Sequence, residues 1–176
     1  VRLVFHNNRN YFPEIDEAAE ALSTQLKLTS REPNTAMTER LQSQHGLRVR
    51  IVPMDIMPDK LRFFDRHRGG IDLSELLPQS GRRFQLGVQL ALLEYSGLID
   101  DAVEAAALTD RNAIGLARLS LANYFSAAML MPYKRFLQEA EATKYDVELL
   151  SHRFGTSYEQ TAHRLTTLQK PDARGV

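Results

Sequence analysis

The sequence predicts an α+β fold, mostly helical with a small antiparallel sheet, on three observations. Apolar residues recur at helical spacing up to Gly46, the period drops to two from Leu47, and helical spacing returns beyond Pro78 almost to the end of the chain. Helices, then a short sheet, then helices is the order of an α+β domain.

Residues 1–9 are mixed. In "PEIDEAAEALSTQLKL" the residues Ile15, Ala18, Ala19, Leu22 and Leu26 recur at three and four, an amphipathic helix with Pro13 in its first turn. "SREPN" breaks the chain, and Met37 and Leu41 carry a second helix that Gly46 ends. Leu47, Val49 and Ile51 then alternate with Arg48, Arg50 and Val52, a strand with one buried face. "LRFFD", "RHRGG" and "IDLSEL" form a hairpin in which Gly69 and Gly70 can take positive φ, while Pro53 and Pro58 keep the preceding loop out of the ladder. Helices are expected near 79–96, 99–107, 111–130, 133–143, 145–154 and 157–169, with breaks at Gly97, "LTDRN", Pro132 and Gly155.

The 176 residues suit one domain with a proper core. Lys and Arg number 22, as do Asp and Glu, so no global basic field draws the chain to nucleic acid or an anionic membrane. The absence of cysteine removes disulfides, thiolate metal sites and cysteine nucleophiles, and fits a cytoplasmic location. No run of about 18 apolar residues is present, so no membrane contact is expected. The start at Val1-Arg2 and the stop at Arg174-Gly175-Val176 suggest a single domain, 1–176, excised from a longer protein.

In "RRFQLGVQLALLEY", Phe84, Gly87, Val88, Ala91 and Tyr95 share one helical face and Leu86, Leu90 and Leu93 another. A helix apolar on two faces is enclosed by neighbours. Arg82, Gln85 and Gln89 form a polar third face, which is either wetted or lines a cavity.

This helix, followed about thirty residues later by "LANYFSAAMLMP", resembles the paired signature of ImmA/IrrE-type zinc metallopeptidases, in which H-E-x-x-H precedes a helix with a third, acidic ligand and A-N-x-F-A-A-x-L-L-M-P. Ala122, Asn123, Phe125, Ala127, Leu130, Met131 and Pro132 match together. The resemblance implies that fold without its zinc site. Val88, Gln89 and Leu92 stand where the peptidases have the first histidine, the glutamate base and the second histidine, and Arg118, Leu119, Ser120 and Leu121 include no carboxylate. Gln89 cannot take a proton from metal-bound water. No catalytic residue and no metal are expected.

The chain is also similar to the central domain of the short-chain fatty acid transcriptional regulators, the ScfR family, whose helix-turn-helix and cysteine-bearing domains are not in this chain. That resemblance implies a sensor of a short acyl-CoA, propionyl-CoA or similar, controlling propionate, methylcitrate and glyoxylate genes through a linked DNA-binding domain. A homodimer fits such regulators. Val88, Leu92, Leu121 and Phe125 offer apolar walls, with Gln89 as an oriented polar group. Arg82 and Arg83, at the helix start, and Arg118 are candidates for the phosphates, with Arg48 and Arg50 as further cations. Adenine has Tyr95, Tyr124 or Tyr133 to stack on. Asn123 is expected to bond backbone. One methylene in an apolar slot shifts discrimination by only about 1–3 kcal/mol, so the acyl chain is not fixed.

Two rivals remain. A metallopeptidase with other ligands finds little support, since His6, His45, His67, His152 and His163 lack H-x-x-x-H or H-x-x-E spacing. DNA binding through the helix-turn-helix-like segment 146–169, with Thr156-Ser157 and Glu159 placed for a capping box, is opposed by its scarcity of cations beside Asp146, Glu148 and Glu159. That unit is expected to pack on the core or on a partner subunit.

Overall fold

The computed structural model describes residues 2–175. The chain opens with α1 (Arg2–Asn7), which the mixed pattern of 1–9 does not announce, and continues through α2 (Pro13–Gln25) and α3 (Pro33–His45). Both of the latter carry proline in the first turn, where the missing N–H costs nothing, and α3 ends on Gly46 at φ 65°. The strands are β1 (Arg48–Val52), β2 (Arg62–Asp65) and β3 (Gly70–Ser74).

The expected antiparallel sheet is mixed. The β2–β3 hairpin is antiparallel, but β1 pairs with β3 in parallel, giving the order β1-β3-β2. From β1 the chain runs through the proline-containing loop to β2 on the far side of the sheet and turns back as the central β3. As an edge strand it is only half covered, and Ile51, expected inside, is 52 % exposed. Of the two hairpin glycines only Gly69 takes positive φ; Gly70 begins β3.

The remaining helices are α4 (Gln79–Glu94), α5 (Ser96–Ala105), α6 (Arg111–Leu130), α7 (Tyr133–Ala142), α8 (Val147–Phe154) and α9 (Tyr158–Leu165). Gly97 does not break the chain as expected: α5 starts at Ser96, and the bend falls on Tyr95 at φ −126°. The α9 capping box uses Ser157 and Gln160, because the Thr156 hydroxyl is buried against Thr161 Oγ1 at 2.8 Å. By length and composition α6 is just apolar enough to cross a membrane. Here it is the central core helix, packed on α2, α4, α5 and α9.

The packing of α4 on α6 is the tightest joint. Gly87 lies against Ser126 and Met129, and Ser126 Oγ donates to the Phe84 carbonyl at 2.8 Å. Arg40 of α3 closes a two-pronged ion pair on Glu94 of α4, both bonds 3.0 Å, and His45 joins the same carboxylate at 2.8 Å. Burial pushes the Glu94 carboxyl up, but these partners outweigh it and hold the group below the usual carboxylate range. A smaller cluster of Met131, Tyr133, Phe136, Leu150, Phe154 and Leu168 carries the C-terminal helices.

Candidate functional site

The polar face of α4 turns toward the sheet. Gln89 is 2 % exposed and its Oε1 accepts from Arg62 Nη1 of β2, while Gln85 Oε1 accepts from Arg62 Nε at 3.2 Å. Burial lowers the Arg62 pKa, and no carboxylate among the described residues offsets it. The question raised by a glutamine in an otherwise apolar helix thus has a structural answer: it satisfies a half-buried arginine with a neutral acceptor. Arg62 was not evident beforehand, because nothing in a strand sequence marks which arginine is covered.

Around the positions that match the metallopeptidase signature, the side chains do not fit zinc. Val88 and Leu92 supply no donor atom, and the described residues contain no group of three or more His, Asp or Glu side chains placed to hold a metal. Val88, Leu121 and Phe125 are fully excluded from solvent, and the Tyr95 ring packs on Phe125 at 4.5 Å. Val88, Leu121 and Phe125, offered above as walls, form core, and Tyr95, offered as a stacking platform, is half-buried against it. Leu92 is half-buried against it.

The candidate cations are also dispersed. Arg83 ties α4 to two other segments, donating to the Gly155 carbonyl at 2.7 Å, to Asn34 Oδ1 at 3.3 Å and to Glu32 at 3.2 Å. Arg118 pairs with Asp100 at 2.9 Å beside a separate hollow of about 450 Å³. Arg50 pairs with Asp72 at 2.8 Å, and Arg48 is exposed. Arg82 reaches the Glu75 carbonyl at 3.4 Å. Tyr133 is held by the Ala173 carbonyl and the Lys170 N–H.

The large cavity is lined by none of these arginines. A cleft of about 1350 Å³ opens between α1, α6, α9 and residues 166–174. Its α6 wall is Ser120, Asn123, Tyr124 and Ala127, one stripe at spacings of three and four. That stripe of small and polar residues in an otherwise apolar helix is the signal that could have located the cleft. Of the residues singled out above as ligand contacts, Tyr124 lines it. Asn123, expected to bond backbone, makes no side-chain hydrogen bond among the described residues and lines the cleft. Phe5 and Phe84 add apolar surface, and Arg9 and Arg174, both exposed, stand at the cleft without an ion pair among the described residues.

Beneath the cleft lies a buried polar knot. Arg164 of α9 makes a two-pronged ion pair with Asp16 of α2 at 2.8 and 3.0 Å and donates from Nε to the Met131 carbonyl. Tyr124 donates to Asp16 at 2.6 Å. Burial works against the charge on Arg164, but Asp16 outweighs it and holds the guanidinium protonated. The helix-turn-helix-like pair α8–α9 therefore has one of its few basic side chains in the core, and α9 packs on α6.

The relatives agree with this architecture. The IrrE N-terminal-like domain matches residues 42–166. The HTH-type transcriptional regulators RamB and PrpR of Mycobacterium tuberculosis are 39% and 36% identical over the whole chain, which spans 37% and 36% of their length. A propionyl-CoA carboxylase regulator of Cereibacter sphaeroides is 38% identical, again over all of this chain and 36% of its own length. A solved Mycobacterium tuberculosis transcriptional regulator superposes with a TM-score of 0.93 at 34% identity, covering 99% of this chain and 53% of that one. With the fold, the matched span and these regulators in agreement, the chain belongs to the IrrE N-terminal-like domain family.

Proposed function

We propose that this chain is the effector-binding domain of a cytoplasmic transcriptional regulator of short-chain fatty acid metabolism, and that it binds a short acyl-CoA without hydrolysing anything. The observation that carries the reading is the cleft. A volume of about 1350 Å³ exceeds the roughly 300–1,000 Å³ usual for compact ligands, so it suits an extended molecule rather than a free short acid. Phe5, Phe84 and Ala127 provide an apolar wall for the acyl group, and the unpaired Asn123 amide matches the amides of pantetheine. Arg9 and Arg174 are the assigned phosphate contacts, in place of Arg83 and Arg118, whose guanidinium groups already hold carboxylates.

The names of the relatives support the metabolic side of the reading: two are HTH-type regulators and a third regulates propionyl-CoA carboxylase. DNA is contacted by a linked domain, in a homodimer, and the methylcitrate and glyoxylate genes are the expected targets. Switching requires that acyl-CoA bind one arrangement of the protein more tightly than another; only that difference does the work.

Titration calorimetry with propionyl-CoA, acetyl-CoA and free CoA tests the reading. The thioesters should bind saturably, and Ala127→Trp, which fills the cleft from an accessible wall, should weaken them by about tenfold or more with an unchanged circular dichroism spectrum. Absence of heat with all three ligands would remove the proposal.

A further inference from the structure

Two half-buried arginines on α4 and β2 hold no carboxylate among the described residues. Arg40, Arg50, Arg83, Arg118 and Arg164 each hold a carboxylate. Arg62 is bonded only to the amide oxygens of Gln85 and Gln89, and its Nη2 has no partner among the described residues and is not sealed from solvent. Arg82 holds a single backbone carbonyl, that of Glu75, at 3.4 Å, and its Nε is buried with no partner among the described residues.

The two are brought to the same face of α4. Arg82, Gln85 and Gln89 occupy successive turns of one face of α4, and Arg62 is bonded to the second and third of them. The carbonyl that Arg82 reaches follows directly on β3, whose Leu73 is the register partner of Arg62. The carboxylates on β3 and directly after it are engaged elsewhere, Asp72 with Arg50 and Glu75 with the Met54 N–H at 2.8 Å. A covered guanidinium without a counterion is unfavourable, so Arg62, with the half-buried Arg82 on the same helix face, describes a site that is completed by a negative ligand.

We propose that Arg62 and Arg82, positioned by Gln85 and Gln89, bind a small oxyanion carrying two negative charges, a phosphate or a dicarboxylate, as a second effector site. The forked N–H edge of arginine fits both groups, and two guanidinium charges match a dianion better than a monoanion. The glutamine at position 89 is part of the device. A carboxylate there would neutralise Arg62 from within, whereas the amide orients the guanidinium and leaves its charge for the ligand. None of these four residues lines the α1/α6/α9 cleft, so the site is independent of the thioester reading.

The experiment is thermal denaturation and calorimetry of the chain at constant ionic strength with inorganic phosphate and with succinate, using acetate and chloride as monoanion controls. Phosphate, succinate or both should raise the melting temperature saturably, and the effective one identifies the ligand class. Arg62→Met should weaken binding about tenfold or more. Gln89→Glu supplies the counterion internally, so it should keep the fold, raise the melting temperature without ligand and abolish the anion response while acyl-CoA binding stays unchanged. No saturable response to either dianion would overturn the proposal. So would binding that survives Gln89→Glu, and so would loss of acyl-CoA binding in that variant, which would make the arginine pair part of the thioester site.

Discussion

Gly87 shows how one side chain fixes the distance between the two central helices. Glycine inside a helix is ordinarily about 0.5–1 kcal/mol worse than alanine, so an exposed glycine of this kind is a candidate for stabilisation. Gly97 is such a residue: an added Cβ would meet nothing within 4 Å. At Gly87 the same atom would stand 2.2 Å from Ser126 Oγ and 2.9 Å from Met129 Cε, and Ser126 is already committed to the Phe84 carbonyl. Packing therefore reverses the sign. Gly87→Ala should destabilise by about 1–3 kcal/mol, while Gly97→Ala should be neutral or stabilise by up to about 1 kcal/mol. Urea midpoints of the two variants give the comparison, and equal shifts would show that α4 and α6 are not in close contact.

At the scale of elements, the helices were legible because their apolar faces are continuous over several turns. α2, α3, α4 and α6 fall close to where the spacing of residues such as Ile15, Leu22, Met37 and Leu90 puts them. The strands were legible singly but not in their pairing. Alternation at Leu47, Val49 and Ile51 says that β1 is extended, yet nothing in it distinguishes a parallel neighbour from an antiparallel one, and the open edge leaves Ile51 uncovered. The site divides the same way. The absence of zinc donors at Val88 and Leu92 is written in residue identity alone. The cleft is not, because its walls come from α1, α6, α9 and the C-terminal segment, more than a hundred residues apart, and only the Ser120, Asn123, Tyr124, Ala127 stripe hints at it. Arg82, Arg83 and Arg118 look alike in sequence; their different partners, a bare carbonyl, Glu32 and Asp100, separate them only in the fold.

For the molecule as a whole, the joint between its beginning and its end is the ion pair of Asp16 and Arg164, with side chains 4% and 1% exposed and bonded across 148 residues of sequence. Removing one partner leaves the other buried and unpaired, so Asp16→Ala should cost about 3–5 kcal/mol; a loss below about 1 kcal/mol, the usual worth of an exposed pair, would show that the knot is wet. The tyrosines around this knot give it a pH signature. Burial first, then the charge of Asp16, pushes the Tyr11 hydroxyl up to about 12, and burial raises Tyr124 further and Tyr133 as well. In the unfolded chain all three titrate near the ordinary value of about 10. Below that value both states keep their protons and the contribution of the knot is fully present. Between about 10 and 12 the unfolded chain releases protons that the folded chain retains, so the unfolded state binds fewer and stability falls as pH rises. The urea midpoint should therefore be level as pH approaches 10 and then drop steeply, and Tyr11→Phe should make the drop shallower by removing one of the groups that differ. A midpoint that stays level through pH 11, or a drop that Tyr11→Phe leaves unchanged, would mean that these hydroxyls ionise as readily inside the fold as outside it.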